Sequence, residues 1–295
     1  MEKIKNYLKL IRIKHYLKNF LVFAPLLFSG KFFEGNYLVN TILAFISFSF
    51  MASVVYIIND IRDVEKDRLH PVKKNRPIAA GKVSKKEGII LAIILFVVSI
   101  VINLFTSNSP ISYIILIGYL VMNIAYSFGL KNIPIIDILI LSVGFLLRVF
   151  YGATIVNISV SNWLYLTILS ISFYLGLGKR RNEIDKSKDS RKVLKEYNRN
   201  FLDKNMYMCL GLTIIFYSLW CVDPINSSRF SGINYLLITV PIVMLICMKY
   251  SLDIEGDSFG DPVDVVFSDK VMLALIGIYV ILMFLILYIF PVFIN

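Results

Sequence analysis

Residues 38–67 read LVNTILAFISFSFMASVVYIINDIRDVEKD, and this stretch decides the fold. It begins with about 20 residues that are almost all apolar, the length that one helix needs to cross the hydrocarbon core of a bilayer. It ends in the polar segment NDIRDVEKD at 59–67, which carries four acidic side chains. Ionisable residues at the end of a membrane span are costly unless they have a partner or a function. The stretch therefore predicts a membrane helix with a functional polar site at its end.

The rest of the chain has the same apolar character. Its 295 residues are 57% hydrophobic and only 17% charged, with a mean hydropathy of +0.72, which excludes an ordinary water-soluble globular protein. We expect an all-α integral membrane protein in which residues 1–295 form a single catalytic domain. Runs of membrane length predict nine transmembrane helices, at about 17–35, 38–59, 88–106, 111–128, 133–155, 162–178, 206–222, 233–250 and 271–292.

The basic residues are distributed unevenly along the chain. Lys and Arg outnumber Asp and Glu by 31 to 20, and 28 of the 31 lie before the first apolar run or in alternate connections between runs. Because cytoplasmic loops retain basic residues, we expect a cell (inner) membrane protein with a cytoplasmic N-terminus and its C-terminus outside. Residues 1–16 combine apolar and basic side chains at helical spacing and predict an interfacial helix. The cytoplasmic segments 60–87, 179–205 and 249–270 are predicted to form a polar cap.

The acidic segment predicts a magnesium site. At about 100° per residue, Asn59, Asp60, Asp63 and Asp67 share one helix face, whereas Glu65 points away. Carboxylates packed on one face repel each other unless a cation neutralises them, and hard oxygen ligands suit Mg²⁺ completed by substrate phosphates. We predict that these four residues hold the metal and that the three aspartates are catalytic.

Several motifs together resemble a known family. NDIRDVEKD, followed by HPVKKNRPIAAG at 70–81, resembles the UbiA superfamily of intramembrane prenyltransferases. Other stretches resemble its polyprenyl-phosphate (decaprenyl-phosphate) phosphoribosyltransferase branch, and the resemblance covers almost the whole chain. It implies a helical bundle with a central cavity open to the cytoplasmic face. The stretches are RIKHYLKN at 12–19, FAPLL at 23–27, YS at 126–127, LK at 130–131, GFLLR at 144–148, GKRRNE at 178–183 and GDP at 260–262.

The resemblance also implies an activity, its substrates and its site residues. The reaction is transfer of a 5-phosphoribosyl group from 5-phosphoribosyl-1-diphosphate to a polyprenyl phosphate, with Mg²⁺ as the cofactor. Arginine and lysine are good partners for phosphate oxygens. We therefore expect donor phosphates at Arg76, Lys179 and Arg180, and the acceptor phosphate at Lys14 and Lys18. The matching positions imply further substrate-binding residues, namely Asn19, Tyr126, Lys131, Asp137, Arg148, Asp261 and Lys270.

Two other functions fit parts of the pattern. An aromatic polyprenyltransferase of quinone synthesis would need a second acidic motif after the sixth helix, and Asp185 and Asp189 spell DxxxD there. A cation-coupled transporter could use the first acidic cluster without any covalent chemistry. The excess of positive charge points to phosphorylated substrates and the bilayer surface, not to nucleic acid. A homo-oligomer is compatible with the sequence.

Overall fold

The computed structural model describes residues 2–107, 109–187, 192–223, 235–255 and 262–290, with the backbone only for 185–187. Every regular element in these ranges is helical, which confirms the predicted all-α class for the described part of the chain. The α-helices are α1 (Glu2–Leu10), α2 (Ala24–Leu27), α3 (Tyr37–Arg62), α4 (Val64–Leu69), α5 (Lys85–Thr106), α6 (Pro110–Phe128), α7 (Ile136–Ile155), α8 (Asn162–Ser187), α9 (Arg199–Val222), α10 (Thr239–Glu255), α11 (Pro262–Ser268) and α12 (Lys270–Phe284).

Local sequence fixes where several helices begin. At the start of α5, Ser84 Oγ accepts a hydrogen bond from the Glu87 backbone N–H, and the Glu87 carboxylate accepts one from the Ser84 backbone N–H. The Asn198 side chain caps α9 by accepting from the Phe201 backbone N–H, and the Asp269 side chain caps α12 by accepting from the Met272 backbone N–H. Shorter 3₁₀ helices lie at Ile13–Phe23, Lys73–Asn75, Leu130–Asn132, Lys192–Lys195 and Tyr235–Ile238, and a π-helical turn lies at Leu285–Ile289.

Seven helical stretches of the described chain are long and apolar enough to cross a bilayer. Two predicted spans are not among them. The run 17–35 contains no continuous α-helix, because a 3₁₀ helix (Ile13–Phe23) and the four-residue α2 replace it. The run 162–178 is helical, but polar residues lower its hydropathy, so its crossing of the membrane stays a prediction. The seven stretches are Tyr37–Arg62, Lys85–Thr106, Pro110–Phe128, Ile136–Ile155, Arg199–Val222, Tyr235–Glu255 and Lys270–Ile289.

Two of the segments predicted as cytoplasmic loops contain much helix. α3 extends into the first, which also carries α4, and α8 extends into the second as far as Ser187. The segment predicted as an interfacial helix contains α1, which is shorter than 1–16, and its position at the membrane interface stays a prediction. Charged residues at these helix ends therefore have fixed directions, which a structureless loop would not give them.

The chain divides into two compact units. Unit 1 comprises Met1–Leu130 and Leu147–Ser159, and unit 2 comprises Lys131–Leu146 and Val160–Asn295. Helix α7 contributes its first half to unit 2 and its second half to unit 1. Each unit has its own buried apolar cluster, so each is described separately below.

In unit 1 the 3₁₀ helix packs along α3 with matched spacing. Three residues of a 3₁₀ helix and four residues of an α-helix both rise about 6 Å. Residues three apart on the first can therefore meet residues four apart on the second. The hydroxyl of Tyr16 lies 2.8 Å from Ser53 Oγ, and Asn19 Nδ2 donates to Ser49 Oγ at 3.0 Å. This match explains how an 11-residue 3₁₀ helix, which is unusually long, is stabilised.

A glycine in α7 allows the same 3₁₀ helix to approach closely. A Cβ atom added at Gly152 would lie 2.0 Å from the carbonyl oxygen of Val22, which is well inside van der Waals contact. Small residues at helix interfaces in membrane proteins permit such close backbone approach. Gly152 therefore sets how near the 3₁₀ helix lies to the second half of α7.

Unit 2 is built mainly around the pairing of α8 with α9. Tyr174 and Leu177 of α8 are buried with Leu202 and Met206 of α9, and Ile254 of α10 joins the same cluster. Gly178 leaves room for Ile254, because an added Cβ would lie 3.1 Å from the Ile254 Cδ1 atom. This core fixes the part of α8 that carries the GKRRNE segment.

Candidate active site

The predicted acidic site lies at the end of α3 in unit 1. Asp63 is the cap residue between α3 and α4, so two helices carry the motif where the sequence predicts one. The helical path continues through this break because the Asp67 backbone N–H donates to the Asp63 carbonyl at 2.8 Å. Asp60 and Asp67 are buried whereas Glu65 is exposed, as the helical spacing predicts.

Two arginines neutralise the buried carboxylates of this site. Nη2 of Arg12 donates to Oδ1 of Asp60 at 2.5 Å. Nη1 of Arg76 lies 3.1 Å from the same oxygen and 2.7 Å from Oδ2 of Asp67. A buried carboxylate without a positive partner would be strongly unfavourable, so these arginines stabilise the cluster. Arg76 is a predicted phosphate ligand, whereas no local sequence pattern indicates the pairing of Arg12, which lies 48 residues from Asp60.

The amide of Asn59 is tied to α6. Ser127 Oγ donates a short hydrogen bond to Oδ1 of Asn59 and lies within hydrogen-bond distance of the Asn123 carbonyl, in the preceding turn of α6. Tyr126, the predicted substrate-binding neighbour of Ser127, is half-buried. The contact fixes the direction of the Asn59 oxygen, which is the atom that a cation would need.

The side-chain oxygen atoms of the acidic motif are suitable ligands for Mg²⁺, but they are not arranged close enough together to form a complete metal site. Across the residues that the structure describes, no three His, Cys, Asp or Glu side chains stand together in a group that could hold a metal ion. Mg²⁺ commonly takes one or two protein carboxylates and completes its shell with water and substrate phosphates. Asn59, Asp60, Asp63 and Asp67 supply hard oxygen atoms of this kind, so the residues fit the ion.

A second polar cluster in unit 1 surrounds Arg148. This side chain is only 6% exposed, and its Nε donates to Oδ1 of Asn19 at 2.8 Å. Its Nη2 donates to the Tyr119 hydroxyl at 3.2 Å, and its guanidinium lies 5.2 Å from the ring centroids of Phe48 and Tyr119. Because Asn19 also donates to Ser49, both ends of its amide are engaged within the protein. Substrate binding by Asn19 and Arg148 stays a prediction, and the contacts show that both residues also support the packing.

Asn19 and Lys14 should therefore differ in what they contribute. Asn19→Leu leaves the buried Arg148 guanidinium and the Ser49 hydroxyl without their amide partner, and we expect a loss of roughly 2–4 kcal/mol in the free energy of unfolding. Lys14 is exposed, so Lys14→Gln should leave stability unchanged and raise the KM for the lipid acceptor. Thermal unfolding of the purified variants, combined with acceptor titrations, measures both effects. An unchanged melting temperature for Asn19→Leu would contradict the structural role.

In unit 2 the predicted phosphate ligand Arg180 lies between carboxylates. Its side chain is fully buried, with Nε donating to Oδ2 of Asp137 and Nη1 to Oε2 of Glu183, both at 2.6 Å. Arg181 donates in the same way to Asp203 at 2.6 Å. The interpretation of GKRRNE as a basic phosphate-binding segment overlooks these acidic partners. Asp137 and Asp203 come from other helices, and Glu183, the last residue of the segment, lies one turn after Arg180. Phosphate binding by Arg180 stays a prediction.

Tyr197 also contacts Asp137, the carboxylate that pairs with Arg180, and the sequence does not predict this role for it. Its hydroxyl donates to Oδ1 of Asp137 and accepts from the Ile135 backbone N–H, with both distances at 2.6 Å. Burial, together with the hydrogen bond to the Asp137 carboxylate, raises the pKa of Tyr197, so its hydroxyl remains a donor at neutral pH. Ile135 has a left-handed backbone (φ 69°), an unusual conformation for a β-branched residue. Tyr197 thus holds the start of α7 in place.

The remaining predicted substrate-binding residues within the described part of the chain are lysines of differing exposure. Lys131 and Lys179 are half-buried in unit 2, and Lys270 is exposed at the first position of α12. Lys18 is half-buried in unit 1. Asp261 and Asp189 lie outside the described residues, as does the side chain of Asp185.

Comparison with known proteins identifies the family to which this arrangement belongs. The model of the UbiA prenyltransferase family matches residues 20–258, which is most of the chain. The chain belongs to the UbiA prenyltransferase family. The match includes the acidic motif and GKRRNE, whereas Arg12, Lys14 and Lys18 precede it.

Relatives of this UbiA-family chain include two phosphoribosyltransferases. The decaprenyl-phosphate phosphoribosyltransferase of Corynebacterium glutamicum is 33% identical, and the alignment covers 97% of this chain and 88% of that protein. The protein of the same name from Mycobacterium tuberculosis strain H37Rv is 32% identical, with 91% of this chain and 90% of that protein covered. The similarity therefore extends over nearly the full length of both relatives.

Solved structures show the same fold. A UbiA homolog from Archaeoglobus fulgidus bound to GPP and Mg²⁺ superposes with a TM-score of 0.70, at 16% identity over 96% of this chain and 99% of that one. A structure of digeranylgeranylglyceryl phosphate synthase gives 0.68, at 21% identity over 97% and 99% of the two chains. The all-helical UbiA fold implied by the sequence is confirmed. The count of nine transmembrane helices and the cytoplasmic cavity stay predictions.

Proposed function

We propose that this UbiA-family protein transfers the 5-phosphoribosyl group of 5-phosphoribosyl-1-diphosphate to a polyprenyl phosphate. The single observation that carries the proposal is the buried Asp60 and Asp67 pair with Arg76 between its carboxylates, at the end of a membrane helix. Such a site offers oxygen atoms for a cation and guanidinium groups for phosphate. The phosphoribosyltransferase relatives support the choice of a sugar diphosphate and a prenyl phosphate as the substrates.

The acidic motif and Arg76 would bind different parts of the donor complex. Asn59, Asp60, Asp63 and Asp67 would hold Mg²⁺, which when bound neutralises the negative charge of the leaving diphosphate. Arg76 lies beside these carboxylates and would bind the diphosphate oxygens. Catalysis would therefore depend mainly on positioning and on charge stabilisation.

At the reacting carbon, one bond breaks and one bond forms. The bond between the anomeric carbon and the diphosphate oxygen breaks, and the electron pair leaves with diphosphate. An oxygen of the lipid phosphate attacks the same carbon from the opposite face and inverts it. The attacking phosphate is already anionic, so no side chain has to remove a proton. Lys14 and Lys18 would hold this phosphate at the membrane surface, with the N-terminus and the active site on the cytoplasmic side of the inner membrane and the C-terminus outside.

Lys131, Lys179, Arg180 and Lys270 are further proposed ligands for substrate phosphates. Lys179 is the more accessible of the two GKRRNE candidates, since Arg180 is enclosed by Asp137 and Glu183. Accessible cations can exchange water for phosphate at lower cost than a buried guanidinium can leave its carboxylates. We therefore give Lys179 the direct role at the donor and Arg180 a supporting role.

An incorporation assay tests the proposed function directly. Purified protein is incubated with Mg²⁺, 5-phosphoribosyl-1-diphosphate labelled in the ribose, and polyprenyl phosphate, and the label is then measured in the lipid fraction. We expect Mg²⁺-dependent label in the lipid and stoichiometric release of diphosphate. Absence of label, with turnover of a polyprenyl diphosphate and an aromatic acid, would favour the aromatic prenyltransferase. Substrate flux into liposomes without covalent product would favour a transporter.

A further inference from the structure

The junction between α1 and the 3₁₀ helix has an unusual backbone. α1 ends at Leu10 and the 3₁₀ helix begins at Ile13, while Arg12 between them has φ 56° and ψ 52°. This left-handed conformation is uncommon for residues other than glycine and persists only where surrounding contacts favour it. The contacts that hold Arg12 should therefore explain why the chain accepts the strain.

Those contacts come from one face of α3. The Arg12 guanidinium carbon lies 4.8 Å from the Tyr56 ring centroid, and Nη2 reaches Asp60 Oδ1 at 2.5 Å. Ser53 Oγ donates to the carbonyl of Ile11 at 2.9 Å. Ser53, Tyr56 and Asp60 are separated by three and four residues, which places them along one side of the helix. Ser53 thus holds the backbone before Arg12, and Tyr56 lies against the guanidinium that reaches Asp60.

The pair is buried at its acidic end and open at its basic end. The Asp60 side chain is 2% exposed, whereas the Arg12 side chain is 21% exposed. The guanidinium can therefore leave toward water, but the carboxylate cannot follow it. Asp60 would then keep the longer contact with Arg76, which is shared with Asp67, so a second cation at the buried carboxylate would be favoured.

The two buried carboxylates of the cluster are already neutralised by arginines before any metal binds. Asp60 and Asp67 carry two negative charges, and Arg12 and Arg76 carry two positive charges. With the carboxylate of the half-buried Asp63 counted as well, a divalent cation would leave an excess of one positive charge next to the arginines. Arg76 retains its shorter contact, with Asp67, if it leaves Asp60. Arg12 is therefore the side chain whose displacement best relieves the excess.

We propose that Arg12 is a placeholder cation for the metal-free protein. Its guanidinium occupies Asp60 Oδ1 until a divalent cation binds there, and it then turns to the diphosphate of the donor. This inference rests on the proposed metal-binding role of Asp60. α1 itself stays in place during the exchange, because Tyr7 and Lys3 contact Glu87 and Lys9 donates to the Asn75 carbonyl. The movement is confined to one side chain.

The proposal predicts two effects of opposite sign in one variant. In the absence of substrate, Arg12→Gln should bind Mn²⁺ about 10-fold more tightly than the wild type, because the closer of the two guanidinium groups that compete for Asp60 is removed. With Mn²⁺ saturating, the same variant should bind inorganic diphosphate about 10-fold more weakly, because a phosphate ligand is lost. Arg12→Lys should lie closer to the wild type in both measurements. Mn²⁺ binding is followed by electron paramagnetic resonance of the free ion, and diphosphate binding by calorimetry, on the full-length protein in detergent.

Controls separate the exchange from general changes in charge or folding. Arg68→Gln removes one positive charge from α4, which also carries Asp67, but Arg68 pairs with the exposed Glu65 at 3.2 Å, so neither affinity should change. Arg12→Gly removes the side chain without backbone strain and tests the same signs if the glutamine variant folds poorly. Any result other than tighter metal and weaker diphosphate binding overturns the placeholder role. If Asp60→Asn binds Mn²⁺ as the wild type does, the proposed metal site itself is wrong.

Discussion

Asp63→Ala should abolish phosphoribosyl transfer while leaving the protein folded. We expect kcat/KM to fall by about 1,000-fold or more, which corresponds to about 4 kcal/mol of lost transition-state stabilisation. Asp63 is half-buried between α3 and α4, within one helical turn of the buried Asp60 and Asp67. Removal of its carboxylate takes away a proposed metal ligand without opening a large cavity. Label transfer to lipid, measured over a range of Mg²⁺ concentrations, gives the effect.

Glu65→Gln is the matched control for this variant. Glu65 belongs to the same acidic motif, but its side chain is exposed and pairs with Arg68. Surface pairs of this kind contribute little, so activity should stay within about twofold of the wild type. If Asp63→Ala retained substantial activity, or if both variants lost it equally, the assignment of metal ligands by helix face would be wrong.

Gly152→Ala should strongly lower the free energy of unfolding of the protein. The new methyl group would meet the Val22 carbonyl oxygen at 2.0 Å, and that partner is backbone, which cannot rotate away. Overpacking commonly costs about 1–3 kcal/mol, and we expect a loss of stability at or above the upper end of this range. Since the 3₁₀ helix carries Asn19 and the proposed acceptor ligands, activity should also fall. Thermal unfolding monitored by size-exclusion chromatography measures the loss of folded protein.

Gly118→Ala is the control for the effect of Gly152→Ala on stability. Gly118 lies in α6 of the same unit, and an added Cβ would meet no atom within 4 Å. Alanine favours helix over glycine, so this variant should unfold at the wild-type temperature or slightly above it. Equal melting temperatures for the two alanine variants would show that the backbone at Val22 is not held against α7.

The acidic part of the site could be predicted because it is local. Spacing along one helix is sufficient to place Asp60 and Asp67 on one side and Glu65 on the other. The arginine that pairs with Asp60 could not be found in this way, since Arg12 lies in a separate element and only the tertiary fold brings the two together. The same limit applies to Arg180, whose partner Asp137 belongs to a different helix.

The apolar pattern predicted a transmembrane helix at 17–35, but it did not predict the 3₁₀ backbone that the structure has at Ile13–Phe23. Helical spacing cannot distinguish a 3₁₀ helix from an α-helix when the stabilising contacts come from another element. Here the hydroxyls of Ser53 and Ser49 on α3 supply those contacts. The length of α8 was underestimated for a related reason, because the charged residues after Gly178 are helical and their partners lie elsewhere.

Contacts three residues apart on the 3₁₀ helix meet contacts four residues apart on α3, and this match limits the insertions that the two helices can accept. One residue inserted between Tyr16 and Asn19 would rotate the rest of the 3₁₀ helix by about 120° and carry Asn19 away from Ser49. A single insertion in α3 between Ser49 and Ser53 would cause a similar slip of about 100°. Length changes that preserve the contacts must add three residues to one element and four to the other together. Homologous sequences should therefore show paired insertions of unequal size here, and never isolated ones.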